Sequence, residues 1–220
     1  MSEVSDPIFA KIARRYDRIN RILSLGQERR WRAIGVEMLE PGLVLDLGCG
    51  TGDTDFDDHE VIGLDPVVEM LQLSPVASRV VAVGEAMPIR DESVDGVFSA
   101  FVFRNLASVD RTLEEMERVL RPGGSAVVID LSRPQSRVLR VVHRVATAIV
   151  LPLVGLVFAR APGEYWYLHK SLDSLPPPEV LYEDRGMVLE EVWRSGVFGF
   201  VYGVRLRKRG AMAEREPEAA

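Results

Sequence analysis

Short, continuous apolar runs alternate along this chain with stretches in which apolar residues recur every three or four positions. Leu43-Val44-Leu45-Asp46 is the first run, entered from a Pro41-Gly42 turn. It is followed by Val61-Ile62-Gly63-Leu64-Asp65, Val80-Val81-Ala82-Val83, Val97-Phe98-Ser99-Ala100-Phe101 and Ala126-Val127-Val128-Ile129-Asp130. Runs of this length without polar alternation predict strands buried on both faces, as in a parallel sheet. Between the fourth and fifth, Leu113, Met116, Val119 and Leu120 fall at helical spacing and predict an amphipathic helix. Arg121-Pro122-Gly123-Gly124 then ends the helix and turns the chain. Strands alternating with helices predict βαβ units and a doubly wound α/β domain. A late strand is expected within 197–207.

Two regions lie outside this alternation. Residues 1–40 carry helical patterns over 9–23 and 29–39, and residues 137–175 form an apolar insertion after the fifth strand. In an open α/β sheet the ligand crevice lies beyond the carboxyl ends of the strands. The expected organisation is therefore one domain over 1–210, with 1–40 as a helical lid and 137–175 as a substrate-side insertion. The Glu-, Pro- and Ala-rich residues 211–220 are expected to be a disordered tail. Within the insertion, the run 138–158 is apolar on more than one helical face. It reads either as a buried core helix or as the wall of an apolar pocket, bent at Pro152 and Gly155, that dips toward a membrane interface.

Composition narrows the class. Hydrophobic residues make up 47% and charged residues 27% of the 220, which is ordinary for one globular core. A net charge of −6 argues against a nucleic-acid partner. The local basic cluster Arg29, Arg30 and Arg32 reads as a solvated helix face or a clamp in the lid. Cys49 is the only cysteine, which excludes an internal disulfide and makes a cytoplasmic setting the expectation. The first eight residues lack the pattern of a signal peptide. Residues 145–159 are too short to span a bilayer, so any membrane contact is expected to be peripheral. His59, His143 and His169 are scattered, so no metal site is expected.

The chemistry is concentrated in Asp46-Leu47-Gly48-Cys49-Gly50-Thr51-Gly52-Asp53, where a buried strand opens into a glycine-rich loop that a ligand can approach closely. A dinucleotide fingerprint would require glycine at position 53, which is Asp. Asp53, Asp55, Asp57, Asp58 and Glu60 would also repel a pyrophosphate. S-adenosyl-L-methionine carries an ammonium, a sulfonium and one carboxylate but no phosphate, and it suits an acidic loop. Asp65 ends the second strand about twenty residues after Asp46, where a carboxylate accepts ribose hydroxyls. The plain alternative is a structural glycine turn in some other α/β protein.

Further segments carry narrower information. Ile12-Ala13-Arg14-Arg15-Tyr16-Asp17-Arg18-Ile19-Asn20, Leu23-Ser24-Leu25-Gly26 and Arg30-Trp31-Arg32 open the chain, and Glu85-Ala86-Met87-Pro88 follows the third strand. Phe103-Arg104-Asn105, Arg118-Val119-Leu120-Arg121-Pro122-Gly123-Gly124, and Tyr165-Trp166-Tyr167-Leu168 with Ser171 come later. Together these resemble the ubiquinone/menaquinone biosynthesis C-methyltransferases over most of the chain. The resemblance implies a Rossmann-like class I methyltransferase, with a doubly wound, mostly parallel seven-stranded sheet, an N-terminal helical lid and a helical insertion. The implied reaction is methyl transfer from S-adenosyl-L-methionine to a ring carbon of a prenylated quinol, such as demethylmenaquinol or a ubiquinone precursor. The implied cofactor residues are Asp46, Gly48, Gly50, Thr51, Gly52, Asp65, Pro66, Gly84, Glu85, Ala86 and Ala100. Homodimerisation is left open.

Arg104 is the first catalytic candidate, as a cation for a phenolate, with a salt bridge at the strand end as the rival role. Asn105 is expected to fix the same loop. Tyr16 and Asp17 either cap the cofactor from the lid or pack on the sheet edge. His169 is a candidate base or a structural histidine. Two features depart from the family pattern. Only Asp53 to Glu60 separate the loop from the second strand, leaving room for about one helical turn. Position 83 is Val where the family often has a carboxylate or amide, and Glu85 is the candidate substitute. Methyl transfer to another phenol, sterol or lipid, and an inactive cofactor-binding scaffold, are the competing readings.

Overall fold

The computed structural model describes residues 24, 26–57, 59–154, 172–173, 175–183 and 186–210. In chain order the elements are α1 (Glu28–Glu37), β1 (Leu43–Leu47), β2 (Glu60–Asp65), α2 (Val68–Leu71), β3 (Ser78–Val81) and β4 (Val94–Ala100). They continue with α3 (Val109–Val119), β5 (Leu120–Leu131), α4 (Arg137–Val154), α5 (Pro178–Leu181), β6 (Val188–Ser195) and β7 (Val201–Arg207). Short 3-10 turns occupy Phe103–Asn105 and Val197–Gly199.

The seven strands form one sheet in the order β3-β2-β1-β4-β5-β7-β6. β1 to β5 are mutually parallel, and β7 lies antiparallel between β5 and β6. The winding reverses between β1 and β4, because β2 follows on one side of β1 and β5 on the far side of β4. That reversal opens a crevice at the carboxyl ends of β1 and β4. Side chains alternate between two cores with the period of a strand. Ala126 and Val128 face one core with Leu45, Leu47, Val97, Leu113 and Met116. Val127 and Ile129 face the other with Trp31, Val36, Val44 and Phe98.

The doubly wound architecture is the one expected from the alternation of runs, and several boundaries differ. The third strand begins at Ser78 rather than Val80. The expected late strand 197–207 starts with a 3-10 turn in which Phe198 takes φ 61°, so β7 proper begins at Val201. β6 was not among the runs singled out, because an edge strand written Val-Leu-Glu-Glu-Val-Trp-Arg-Ser lacks the apolar continuity of an inner one. Leu120, assigned to the helix by spacing, belongs to β5. No helical turn is described in the β1–β2 crossover. Phe56 fills that place instead, packed edge-on against Phe98 at 5.3 Å.

α4 corrects the core-helix reading of its run. Its inner face carries His143 and Thr147, while Val138, Val141, Val142, Val145 and Ile149 face outward, Val138 being 72% exposed. The helix is continuous from Arg137 to Val154. The expected lid helix 9–23, the segment 155–171 and the tail 211–220 lie outside the described residues.

α1 lies close against the sheet because Gly35 faces it. A β-carbon there would sit 2.7 Å from Ile129 Cδ1 and 2.9 Å from Phe98 Cε2. Gly35→Val is therefore expected to cost about 1–3 kcal/mol of stability. A thermal melt should fall by roughly 2–10 °C for a chain of this size. An unchanged melting temperature would mean that α1 can lift from the sheet freely.

Candidate functional site

The site begins where β1 ends. Gly48 takes φ 72°, and a β-carbon there would meet Val102 Cγ2 at 2.3 Å, so only glycine fits this turn. The Gly48 and Cys49 N–H groups both donate to the Leu64 carbonyl, at 2.7 and 3.1 Å, which folds the loop over the end of β2. Gly50 takes φ 53° and has nothing within 4 Å of where a β-carbon would be, so its backbone faces open space. Asp65 ties the arrangement together. Its Oδ2 accepts the Gly50 N–H at 2.9 Å and its Oδ1 accepts the Val67 N–H at 2.8 Å. Each carboxylate oxygen keeps a further lone pair for a hydroxyl.

The loop lies between two buried acids. Asp46 Oδ2 is buried without a hydrogen-bond partner. Burial pushes the Asp46 carboxyl up to about 7; Arg32 opposes that rise and Asp65 reinforces it. Burial also raises Asp65, against the stabilising N–H groups of Val67 and Gly50. Burial raises the Cys49 thiol as well, with Asp46 and Asp65 adding to the effect, which leaves it protonated and unreactive. A negative field with an orphaned acceptor favours a cationic ligand and disfavours phosphate.

Of the other expected cofactor positions, Thr51, Gly52 and Pro66 are half-buried beside the loop, and Ala100 is the buried last residue of β4. Gly84 lets α3 approach, since a β-carbon would lie 3.0 Å from Thr112 Cγ2. Ala86 is exposed. Glu85 turns Oε1 onto the N–H groups of Ala107 and Ser108, at 2.8 and 3.0 Å, and so braces the start of α3.

Arg104 takes the strand-end ion pair. Its guanidinium meets Asp130 Oδ1 and its N–H donates to Asp130 Oδ2 at 3.1 Å, while Leu131 N–H donates to Oδ1 at 2.7 Å. Asn105 Nδ2 donates to the Phe101 carbonyl at 3.5 Å and holds the same turn. Tyr16 and His169 lie outside the described residues. Sequence reasoning missed Asp130, although it closes its apolar run as Asp46 and Asp65 close theirs, at or next to the strand end, and that shared position is the signal that finds it. It also missed the clasp beyond β5. There Arg133 grips Asp173 with two nitrogens at 3.1 and 3.0 Å, donates to Thr147 Oγ1 at 2.8 Å, and sits 3.4 Å from His143 Nδ1. Burial raises Asp173, but hydrogen bonds from Arg133 and Arg144 hold it below the usual carboxylate range. Tyr182 and Tyr202 face each other at 3.3 Å, and burial raises both phenols, so neither serves as a base.

A model described as the ubiE/COQ5 methyltransferase family matches residues 2–191. The chain belongs to that family. A demethylmenaquinone methyltransferase of Deinococcus radiodurans is 39% identical to this methyltransferase over 191 residues, covering 79% of each chain. A ubiquinone/menaquinone biosynthesis C-methyltransferase of Geobacter sulfurreducens is 37% identical over 192 residues, covering 78% of this chain and 75% of its own. Among solved structures, a SAM-dependent methyltransferase of Thermotoga maritima superposes with a TM-score of 0.59 at 19% identity, covering 92% of this chain and 98% of its own. A SAM-dependent methyltransferase of Aquifex aeolicus does so with a TM-score of 0.51 at 20% identity, covering 87% and 97%. These structural likenesses establish the Rossmann-like fold of the methyltransferase.

The Arg104–Asp130 pair gives a stability prediction. Arg104→Ala removes the counter-charge of a fully buried carboxylate, leaves it two backbone N–H donors, and should cost up to about 3–5 kcal/mol in chemical denaturation. Adding Asp130→Asn should recover a large part of that loss. Equal instability of the single and double variants would show that the pair does not act as a unit.

Proposed function

We propose that this methyltransferase transfers a methyl group from S-adenosyl-L-methionine to a ring carbon of a prenylated quinol, such as demethylmenaquinol or a ubiquinone precursor. The observation that carries the reading is the pair of strand-end carboxylates, Asp46 and Asp65, flanking a glycine loop whose Gly50 backbone faces open space. The chain's residues fit the donor. Asp46 has an orphaned oxygen for the donor's ammonium, Asp65 keeps lone pairs for ribose hydroxyls, and the loop leaves room where β-carbons would intrude. When bound, the donor supplies an electrophilic methyl group on a sulfonium. Gly48, Gly50, Thr51 and Gly52 would line its amino-acid side, and Asp65 with Pro66 would take the ribose. Gly84, Glu85, Ala86 and Ala100 would border the adenine and the crevice. With Val83 in place of a polar residue and Glu85 partly engaged at α3, the adenine has few partners, and a micromolar dissociation constant is expected.

The names of the relatives support a quinol acceptor. Making a phenol ring nucleophilic at neutral pH costs roughly 4 kcal/mol if the hydroxyl must ionise. Arg104 is proposed to donate to the developing phenolate oxygen while Asp130 fixes the guanidinium in place, and Asn105 holds the turn that carries it. His169 is proposed to take the phenolic proton on its imidazole, and Tyr16 to cap the donor from the lid.

The outer face of α4 extends the proposal to the acceptor's medium. Its apolar stripe is bordered on one side by Arg137 and Arg140, with Arg144 paired to Asp173, and the helix contains no Asp or Glu. This charge pattern suits an anionic bilayer surface, on which the helix would lie flat. No described helix is long and apolar enough to cross a membrane. Vesicles containing phosphatidylglycerol should sediment the wild type, and the double variant Val141→Glu/Val145→Glu should bind about tenfold more weakly. Equal sedimentation of the two proteins would sink the membrane assignment.

The deciding experiment is a calorimetric titration with S-adenosylhomocysteine. Asp65→Ala should weaken binding by about tenfold or more, and failure of the folded wild type to bind would overturn the reading. The same titration has a pH signature. Asp46, with its pKa raised to about 7, must be ionised to pair with an ammonium. Affinity should therefore fall as pH drops below that point, by up to about tenfold per unit, and level off above it. Asp46→Asn should remove this slope. For the ligand-free protein the sign is opposite. The folded state holds the Asp46 proton more tightly than the unfolded state, so its contribution to stability declines as pH rises toward 7.

A further inference from the structure

The basic cluster of α1 divides in two. Arg29 and Arg30 are exposed, whereas Trp31 is buried and donates its indole N–H to Ser195 Oγ at 2.9 Å, which fixes the rotation of the helix. Arg32 consequently turns toward the glycine loop. One of its terminal nitrogens donates to Thr54 Oγ1 at 3.0 Å, and its guanidinium carbon stands 5.4 Å from the centre of the Phe101 ring. Phe101 takes φ 67°, a left-handed conformation that is strained for a bulky residue and that sets the ring at the mouth of β4. Arg32 Nε is buried without a hydrogen-bond partner.

An unsatisfied buried donor calls for an explanation, and here its complement is close by. Asp46 Oδ2 is a buried acceptor without a partner, and Arg32 is the positive charge that acts on it. Arg32 acts on Asp46, yet neither side chain satisfies the other's orphaned atom. A ligand with an anionic and a cationic group on adjacent atoms would satisfy both, and the α-amino acid end of the donor has that form. The β1–β2 crossover contains no described helix whose N-terminus would meet an anion, and Asp53, Asp55 and Asp57 make the neighbourhood negative.

We propose that Arg32 is the residue that recognises the donor's carboxylate, its Nε–H donating to an oxygen of that group while Asp46 receives the ammonium. The proposal rests on the donor assignment above. It makes α1 a clamp on the amino-acid end of the donor, in addition to its role as a packing helix.

A ligand-truncation cycle on the full chain tests it. S-adenosylhomocysteine and its decarboxylated analogue, which keeps the ammonium and lacks only the carboxylate, are titrated by calorimetry into wild type, Arg32→Gln and Arg32→Lys. The wild type should prefer S-adenosylhomocysteine by about tenfold or more. Arg32→Gln should lose that preference by weakening S-adenosylhomocysteine about tenfold more than the analogue, whose smaller loss follows from the rise of Asp46 that Arg32 opposes. Arg32→Lys should fall between them, since a point charge replaces the directed Nε–H. If Arg32→Gln melts early, the Arg32→Lys cycle decides by the same criterion. Equal weakening of both ligands would overturn the proposal and reduce Arg32 to a brace for Thr54 and Phe101. Failure of both ligands to bind the wild type would overturn the donor assignment itself, a result that cannot be mistaken for the former.

Discussion

The site depends on the carboxylate of Asp65. By accepting the N–H groups of Gly50 and Val67 it joins the loop after β1 to the turn after β2. Without that acceptor, Gly50 would present a free donor to the crevice, and only the Leu64 carbonyl would hold Gly48 and Cys49. Burying a carboxylate is unfavourable unless it is well bonded. The two N–H bonds offset much of that cost at Asp65, whereas Asp46 has no such compensation at Oδ2. The protein therefore carries one satisfied and one unsatisfied acid side by side. The satisfied acid shapes the loop, and the unsatisfied one leaves a buried acceptor beside it.

The sheet imposes the geometry on which this contrast rests. β1 and β4 are neighbours whose following elements leave in opposite directions, so the loops after them diverge and leave a gap. Gly48 closes one wall of that gap against Val102, the residue just beyond β4 and Phe101. On the other side of β4, β5 carries Asp130 one residue before its end, and Asp130 fixes Arg104. Three strands thus contribute an acid at or next to their carboxyl ends, and the one on β5 is held in an ion pair with Arg104.

Much of this was legible in the sequence, for identifiable reasons. Inner strands of a parallel sheet are apolar on both faces, so β1, β2, β4 and β5 stood out as runs, and Asp46 and Asp65 stood out as acids interrupting them. β6 was hidden because an edge strand needs no such run. The apolar run of α4 was visible but its orientation was not. A helix with valines outward and His143 and Thr147 inward reverses the usual pattern, and only the Arg133 clasp explains which face is turned in. The role of Glu85 was likewise out of reach, because its partners Ala107 and Ser108 are brought near by the β3–β4 connection rather than by local spacing. Arg32 could be seen only as one of three clustered arginines until Trp31 set the helix rotation.

The short crossover and the inward arginine belong to one electrostatic solution. A helix starting at the glycine loop would offer its N-terminal N–H groups, equivalent to roughly half a positive charge, to any anion held there. Among the described residues of the connection from Gly48 to His59 there are turns and Phe56 packing on Phe98 but no helix to supply that partial charge, and the acids that follow the loop make the deficit larger. A full positive charge from a different element can make up for it. α1 is the described helix that packs across β4 and β5 on the Phe56 side of the sheet, and its inward arginine reaches Thr54 at the far end of the loop. Losing the crossover helix thus shifts anion recognition from backbone dipoles to a side chain on α1, whose grip on the sheet depends on the close approach at Gly35.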